Sequence, residues 1–290
     1  MAAQIIDGKA LAARVREAIG TRVARLREAG GAARLDAVLS CPGDSPARVY
    51  AENQARTCAE LGIEYVLHEI GEACTLEDAR ACIERLNAAP EVAGIMVHLP
   101  LPEGVDAYQV QRLIDPEKDV EGVNPANIGN IVYGRSSLAP CTGLAAVRMV
   151  ESTGVELRGA RCVVVGASDV VGKPIAVLLM RREATVVSCN EWTWGLEGLC
   201  ASADVLVSAV GKPGLIRPEM VKAGAVVVDV GTSRVTDETG RTRTVGDVDF
   251  EGVSAVAGWV SPVPGGVGPM TVATLLSNVV EAGERRVGLG

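Results

Sequence analysis

Two rhythms of apolar and polar positions alternate along this chain of 290 residues. Leu11, Val15, Ile19, Val23 and Leu26 recur at helical spacing among arginines and glutamates, predicting an amphipathic scaffold helix over 8–29. Short apolar runs follow, each separated from the next by a helical pattern. A strand is expected over 37–39, a turn over CPGDSP at 41–46, and a helix from Ala47 stopped by Gly62. A strand over 65–70 and a helix over 75–87 come next, the helix opened by Thr75 with acids behind it. A third strand, 92–97, runs into HLPLP and carries His98 beyond its carboxyl end, the side on which open parallel sheets meet ligands. A short helix over 106–114 and a long polar connector, DPEKDVEGVNPANIG, complete a first α/β half without a glycine-rich phosphate loop.

The second half is organised around RCVVVGASDVVGKPIAVLLM, residues 161–180, reached through a helix over 143–152. Cys162 to Val165 is a β-branched run suited to a strand covered on both faces. Gly166 then permits an unusual dihedral, Ser168 offers a hydroxyl, and Gly172 lets the next helix lie close to the strand. The N-terminus of that helix presents free N–H groups to an anion, and a dinucleotide pyrophosphate is its natural occupant. The spacing departs from the common fingerprint, since Ser168 replaces a second glycine and Gly172 falls one residue late. A strand-turn-helix without cofactor is the competing reading. Two further apolar runs ending in glycine, at 204–214 and 225–232, favour the cofactor, as does a strand at 185–188. A charged hairpin-like insert is expected over 233–245 and a short segment over 255–260. The string SPVPGGVGPMT, 261–271, reads as a rigid loop with no room for a regular element, followed by a helix over 271–283.

Composition narrows the classes. The length suits two domains, and 48% hydrophobic residues allow sizeable cores. A net charge of −8 disfavours a nucleic-acid or anionic-membrane surface and favours a small ligand. The eight cysteines form no CxxC pair and, without a secretory segment, read as reduced thiols of a cytoplasmic protein. His68 and His98 lack suitably spaced partners, so no metal site is expected, and no apolar run is uninterrupted enough to span a bilayer.

IIDGKALAARVR, GIMVHLPLP, DPEKDVEGVNPANIG, PCTG, VVVGASDVVGKP, SAVGKPG, VVVDVGT and SPVPGGVGPMTVATLL together resemble the bifunctional methylenetetrahydrofolate dehydrogenase/cyclohydrolase family over essentially the whole chain. The resemblance implies two α/β domains with a cleft between them. Residues 1–142 would form the folate-side catalytic domain, with 271–290 packing back on it, and 143–270 a Rossmann-like NAD(P)-binding domain on a parallel sheet. It further implies a folate substrate and a homodimer through the Rossmann-like half. Gly166, Ala167, Ser168, Val171, Glu191, Gly211 and Thr232 would hold the dinucleotide, and Pro264, Gly265, Gly266 and Val267 would line the folate.

The folate pocket departs from the family pattern. Tyr50 is kept, but the catalytic lysine four residues on is Gln54, the glutamine of the strand-end loop is His98, and the pterin-gripping aspartate is Glu121. Oxidising a methylene bridge asks mainly for positioning, whereas hydrolysing the methenyl product asks for proton removal from water. Dehydrogenase activity is therefore expected to survive and cyclohydrolase activity to be weak or absent, with His98 a candidate to restore a proton shuttle. Taken singly, Gln54 also reads as a solvated helix residue, Glu121 as a surface acid, His98 as a structural histidine and Tyr50 as core. Where NADP-using relatives carry Ser-Arg-Thr, this chain has Glu191-Trp192-Thr193, which repels a 2′-phosphate and favours NAD, unless Glu191 faces solvent or Arg181 or Arg182 reaches the phosphate. A relative acting on another iminium or aminal substrate, and a non-catalytic dinucleotide-binding paralogue, are the competing functions.

Overall fold

A two-residue strand, β1 (Gln4–Ile5), and a long helix, α1 (Gly8–Glu28), open the chain in the computed structural model, which describes residues 2–40, 45–135, 138–236 and 240–289. The Asp7 carboxylate caps α1, accepting the N–H groups of Lys9 and Ala10 at 2.9 and 3.0 Å.

Arg14–Cys141 and Val272–Gly290 form one compact unit. Its sheet is parallel, ordered β3-β2-β4, from β2 (Arg34–Leu39), β3 (Glu64–Glu69) and β4 (Gly94–Val97). Helices α2 (Pro46–Leu61), α3 (Leu76–Ala88), α4 (Ala107–Gln111) and α5 (Pro125–Tyr133) follow the strands. Alternation along β2 explains the apolar run: Leu35 and Ala37 pack with Ile19 and Val23 of α1 and with Leu276 and Val279, while Val38 faces Ala79, Ile83 and Leu86 of α3. Local signals end the helices as expected. Ser45 accepts from Arg48 N–H to open α2, and Gly62 closes it at φ 73°, a left-handed conformation natural to glycine. Thr75 and Asp78 form a reciprocal capping box at α3. Of the turn expected at 41–46, residues 41–44 lie outside the described residues.

The polar connector is more ordered than its composition suggests. Asp119 bridges to Ile95 at the edge of β4, and Asn124 with Pro125 starts α5, a helix that the sequence reading treats as loop.

Met1–Ala13 and Thr142–Thr271 form the second unit. It contains α6 (Cys141–Glu151), β5 (Arg161–Val165), α7 (Gly172–Met180), β6 (Thr185–Cys189), α8 (Leu196–Ala201), β7 (Val205–Ser208) and β8 (Val226–Asp229). A hairpin of β9 (Ser233–Thr236) and β10 (Thr242–Val245), helix α9 (Phe250–Ser254), strand β11 (Trp259–Val260) and helix α10 (Val267–Arg286) complete the chain. The six-stranded sheet, β1-β11-β8-β7-β5-β6, is parallel throughout. Val163, Leu206, Val227 and Val260 pack one face against Ile216 and Val253. Two differences from the sequence reading stand out. Residues 1–13, expected in the folate-side domain, group with this sheet because β1 pairs with β11. Helix α10 begins at Val267, inside the Pro/Gly string, because a first-turn N–H has no helical partner to lose and Pro269 therefore fits there.

Candidate functional site

One cluster of polar side chains lies at the carboxyl ends of the three-stranded sheet. His98 follows β4 directly, its N–H donating to Val38 O at 2.9 Å. It is 4% exposed, and burial pushes its imidazole down to about 4, so the ring is neutral at physiological pH. Its Nε2 lies 3.2 Å from the Tyr65 hydroxyl, and the Tyr50 ring meets it edge-on with centroids 5.9 Å apart. Helix α2 carries Tyr50 and, one turn later, Gln54. Gln54 is 3% exposed, and neither its Oε1 nor its Nε2 has a hydrogen-bond partner among the described residues. The solvated reading of Gln54 is thereby excluded. A buried amide with both ends unmatched costs about 1–3 kcal/mol per group, a cost that a ligand can remove.

Glu121 is partly buried and held by the pinned connector. Asp119, with no exposed surface, accepts from Gly122 N–H (3.1 Å), Asn124 N–H (2.7 Å) and Asn127 Nδ2 (2.9 Å). Gly122 has φ 71°, and a Cβ there would stand 2.3 Å from the Ala139 carbonyl carbon, so only glycine lets the backbone pass. Glu121 Oε2 accepts the Val97 N–H at 3.3 Å. Burial raises its carboxyl to about 7, against that hydrogen bond. Tyr50 is 44% exposed, so it is not a core residue; the partial burial of its ring and then the charge of Glu121 raise its phenol to about 12. Of the four expected residues, Tyr50 meets His98 by its ring and Glu121 by its charge, Gln54 stands one turn further along the same face of α2, and Tyr65 joins through His98. Sequence alone offers no sign of Tyr65 beyond its being a polar-tipped aromatic in a strand.

The second unit holds the remaining candidates. Gly166 has φ 106°, its N–H donates to Cys189 O at 2.9 Å, and a Cβ there would stand 2.3 Å from Ala209 O. A Cβ on Gly172 would fall 1.8 Å from Gly166 O, so the start of α7 lies directly on the turn. Ser168 is exposed and accepts from Gly172 N–H at 3.3 Å, while Val171 opens α7 with no side-chain cap. The first-turn donors expected to be free are taken up within the chain, since Lys173 N–H also goes to Ser168, at its carbonyl (3.0 Å), and Pro174 has none, so α7 offers a pyrophosphate its positive dipole end above the glycine turn. Glu191 is exposed just beyond β6, the strand that bonds to this turn. Arg182 is engaged by Glu151 at 2.8 Å, and Arg181 lies at the far end of α7, roughly 12 Å from its start. Gly211 (φ 79°) and Thr232 are exposed after β7 and β8. The 264–267 loop belongs to this unit rather than to that of Tyr50, and is fitted against α1: a Cβ on Gly8 would meet Gly266 O at 1.8 Å. Among the described residues, no group of three or more His, Cys, Asp or Glu could hold a metal ion, and no helix is long and apolar enough to cross a membrane.

Residues 6–121 match the family model described as tetrahydrofolate dehydrogenase/cyclohydrolase, catalytic domain, and residues 140–287 match its NAD(P)-binding domain. The bifunctional protein FolD of Moorella thermoacetica is 46% identical over 286 residues, covering 98% of this chain and 100% of that protein. Among solved structures, the FolD methylenetetrahydrofolate dehydrogenase/cyclohydrolase of Campylobacter jejuni gives a TM-score of 0.93 at 38% identity, over 98% of this chain and 100% of that one. The Trypanosoma brucei dehydrogenase-cyclohydrolase, solved with NADP and an inhibitor, gives 0.91 at 34% identity, over 98% of both chains.

Proposed function

Because the chain belongs to the tetrahydrofolate dehydrogenase/cyclohydrolase family, we propose that it oxidises 5,10-methylenetetrahydrofolate to the methenyl form, prefers NAD, and hydrolyses the methenyl bridge weakly or not at all. The observation that carries this reading is Gln54, buried and unpartnered at the position where the family's pattern has a lysine.

When bound, the dinucleotide supplies the hydride acceptor. The residues of this chain then have to bind and orient. A hydride leaves the bridging carbon as the adjacent nitrogen lone pair forms the iminium, so no side chain must move a proton. Gln54 can donate to and accept from the folate, Tyr50 offers an aromatic wall, and Glu121 a carboxyl for the pterin's amidine edge. Glu121 is one methylene longer than the family's aspartate, which displaces its carboxyl by roughly a bond length.

Hydrolysis asks more. Water must lose a proton as it attacks, and a tetrahedral adduct must be stabilised. An amide cannot take up that proton. His98, at about 4, is a poor base whose Nε2 already faces Tyr65, which argues against the proton-shuttle expectation. Glu121 has a suitable pKa of about 7 but is committed to the pterin in this arrangement.

NAD preference is supported by Glu191, exposed two residues beyond β6, whose last residue accepts from Gly166 of the turn, and by Arg182 being paired elsewhere; a 2′-phosphate reaching that strand end would meet the charge of Glu191. The test is to mix protein, methylenetetrahydrofolate and either NAD or NADP, following reduced dinucleotide and methenyl product at separate wavelengths. Formation of both with NAD, more slowly with NADP, supports the proposal. Faster turnover with NADP overturns the preference, and turnover only with a non-folate amine overturns the substrate.

A further inference from the structure

A buried carboxylate holds the loop after β7, and its backbone N–H ties it to the end of β8. Asp247, the second residue after the β9–β10 hairpin, has no exposed surface. It accepts from Ser208 Oγ (2.8 Å), Val210 N–H (2.8 Å) and Lys212 N–H (2.7 Å), all from β7 and the loop that follows it. On the β8 side it leaves room only for glycine, since a Cβ on Gly231 would stand 2.1 Å from its Cγ. A second acid completes the clasp. Asp229, at the end of β8, accepts the N–H groups of Gly231 (3.0 Å), Asp247 (3.1 Å) and Val248 (2.9 Å). Its own N–H donates to Ser261 Oγ at 2.8 Å.

The consequence falls on Gly211. The N–H groups on either side of it, of Val210 and Lys212, turn inward to Asp247, and its carbonyl accepts from Ser233 Oγ at 3.0 Å. Its own N–H takes part in none of these bonds, and it stands exposed at φ 79°. A buried carboxylate is an expensive way to hold a loop, because its desolvation has to be offset by several well-aligned donors. In return, the β7 loop is fixed on Asp247, which packs on Gly231 and is itself held by Asp229 at the end of β8. Ligands of open α/β sheets bind at such strand ends, and preorganised donors bind more tightly than mobile ones.

We propose that Asp247 is a positioning residue for the dinucleotide, reached through the β9–β10 hairpin, which fixes Gly211 and Thr232 toward the cofactor without touching it. This rests on the reading that these two loops meet the dinucleotide. Asp247→Asn keeps the shape but turns one acceptor into a donor aimed at N–H groups. Dinucleotide affinity, measured by calorimetry without folate, is expected to fall about tenfold or more, from the loss of one charge-assisted bond. In steady state the loss appears in KM for the dinucleotide and not in KM for folate. Ser233→Ala, which removes only the outer bond to Gly211 O, is expected to weaken dinucleotide binding about threefold. A folded Asp247→Asn protein with wild-type affinity overturns the inference. If that variant does not fold, unchanged affinity in Ser233→Ala overturns it. Absence of dinucleotide binding by the wild-type protein overturns the cofactor reading itself, and the inference with it.

Discussion

The hydroxyl of Tyr65 and Nε2 of His98 stand 3.2 Å apart, joining β3 to the residue that follows β4, the two outer strands of a sheet whose centre is β2. Burial makes His98 a neutral group, its pKa lowered to about 4, and the Tyr65 hydroxyl fixes the ring. Tyr65→Phe removes the partner and leaves an imidazole nitrogen buried without one. The expected loss of stability is about 1–2 kcal/mol, read from urea denaturation. Because the folded pKa of His98 lies below its ordinary 6.5, its contribution is present above pH 6.5 and is lost as pH falls through about 4.

Glu121 behaves in the opposite sense. Its carboxyl sits at about 7 in the fold against 4.5 ordinarily, so the native state binds this proton more tightly than the unfolded chain does. The stability it contributes is complete below about 4.5 and disappears as pH rises through about 7. Asp229, raised by burial to about 6, adds a step of the same sign. Glu121→Gln should therefore remove about 2 kcal/mol of the wild-type loss between pH 5 and 8, allowing for partial exposure. Urea midpoints at four pH values across that range decide it. Parallel curves for the two proteins would contradict the raised carboxyl.

Gly166 tolerates no side chain. Its φ of 106° is strained for any L residue, and a Cβ would meet Ala209 O at 2.3 Å. Gly166→Ala is expected to destabilise the protein by about 2–4 kcal/mol and to abolish measurable dinucleotide binding in the fraction that folds. Denaturation and calorimetry on the same preparation separate the two effects.

Glu191 is exposed, and Arg182 is held by Glu151 at 2.8 Å. Glu191→Arg should move the ratio of kcat/KM values toward NADP by about tenfold or more, since a guanidinium can pair with the 2′-phosphate that the glutamate repels. An unchanged ratio would mean that residue 191 does not face the ribose.

Much of this architecture is legible in the pattern of side chains. Runs such as Cys162–Val165 declare buried strands because parallel strands covered on both faces need no polar alternation. Gly62 and Thr75 mark helix ends because their chemistry acts within one turn. What escapes has a non-local cause. Gln4 and Ile5 are two exposed residues that become a strand only by pairing with Trp259 and Val260. The start of α10 hides in a string of prolines and glycines, although proline is compatible with a first helical turn. In the site, Tyr50, Gln54, His98 and Glu121 can be picked out by motif, but not that His98 answers to Tyr65, nor that Asp247 gathers donors from Ser208, Val210 and Lys212. Those partners are more than thirty positions apart in sequence, and no local spacing encodes them.

Whether residue 54 leaves the methenyl bridge intact is read from the decay of that bridge. Purified protein is given 5,10-methenyltetrahydrofolate alone, and its decay is followed beside that in the Gln54→Lys variant. The wild-type rate is expected to stay close to the uncatalysed one, methylenetetrahydrofolate with NAD therefore to accumulate methenyl product, and the lysine variant to hydrolyse it about tenfold faster or more. Wild-type hydrolysis keeping pace with dehydrogenation would show that the amide at position 54 does not limit it, and its loss in Glu121→Gln would assign the missing base to Glu121.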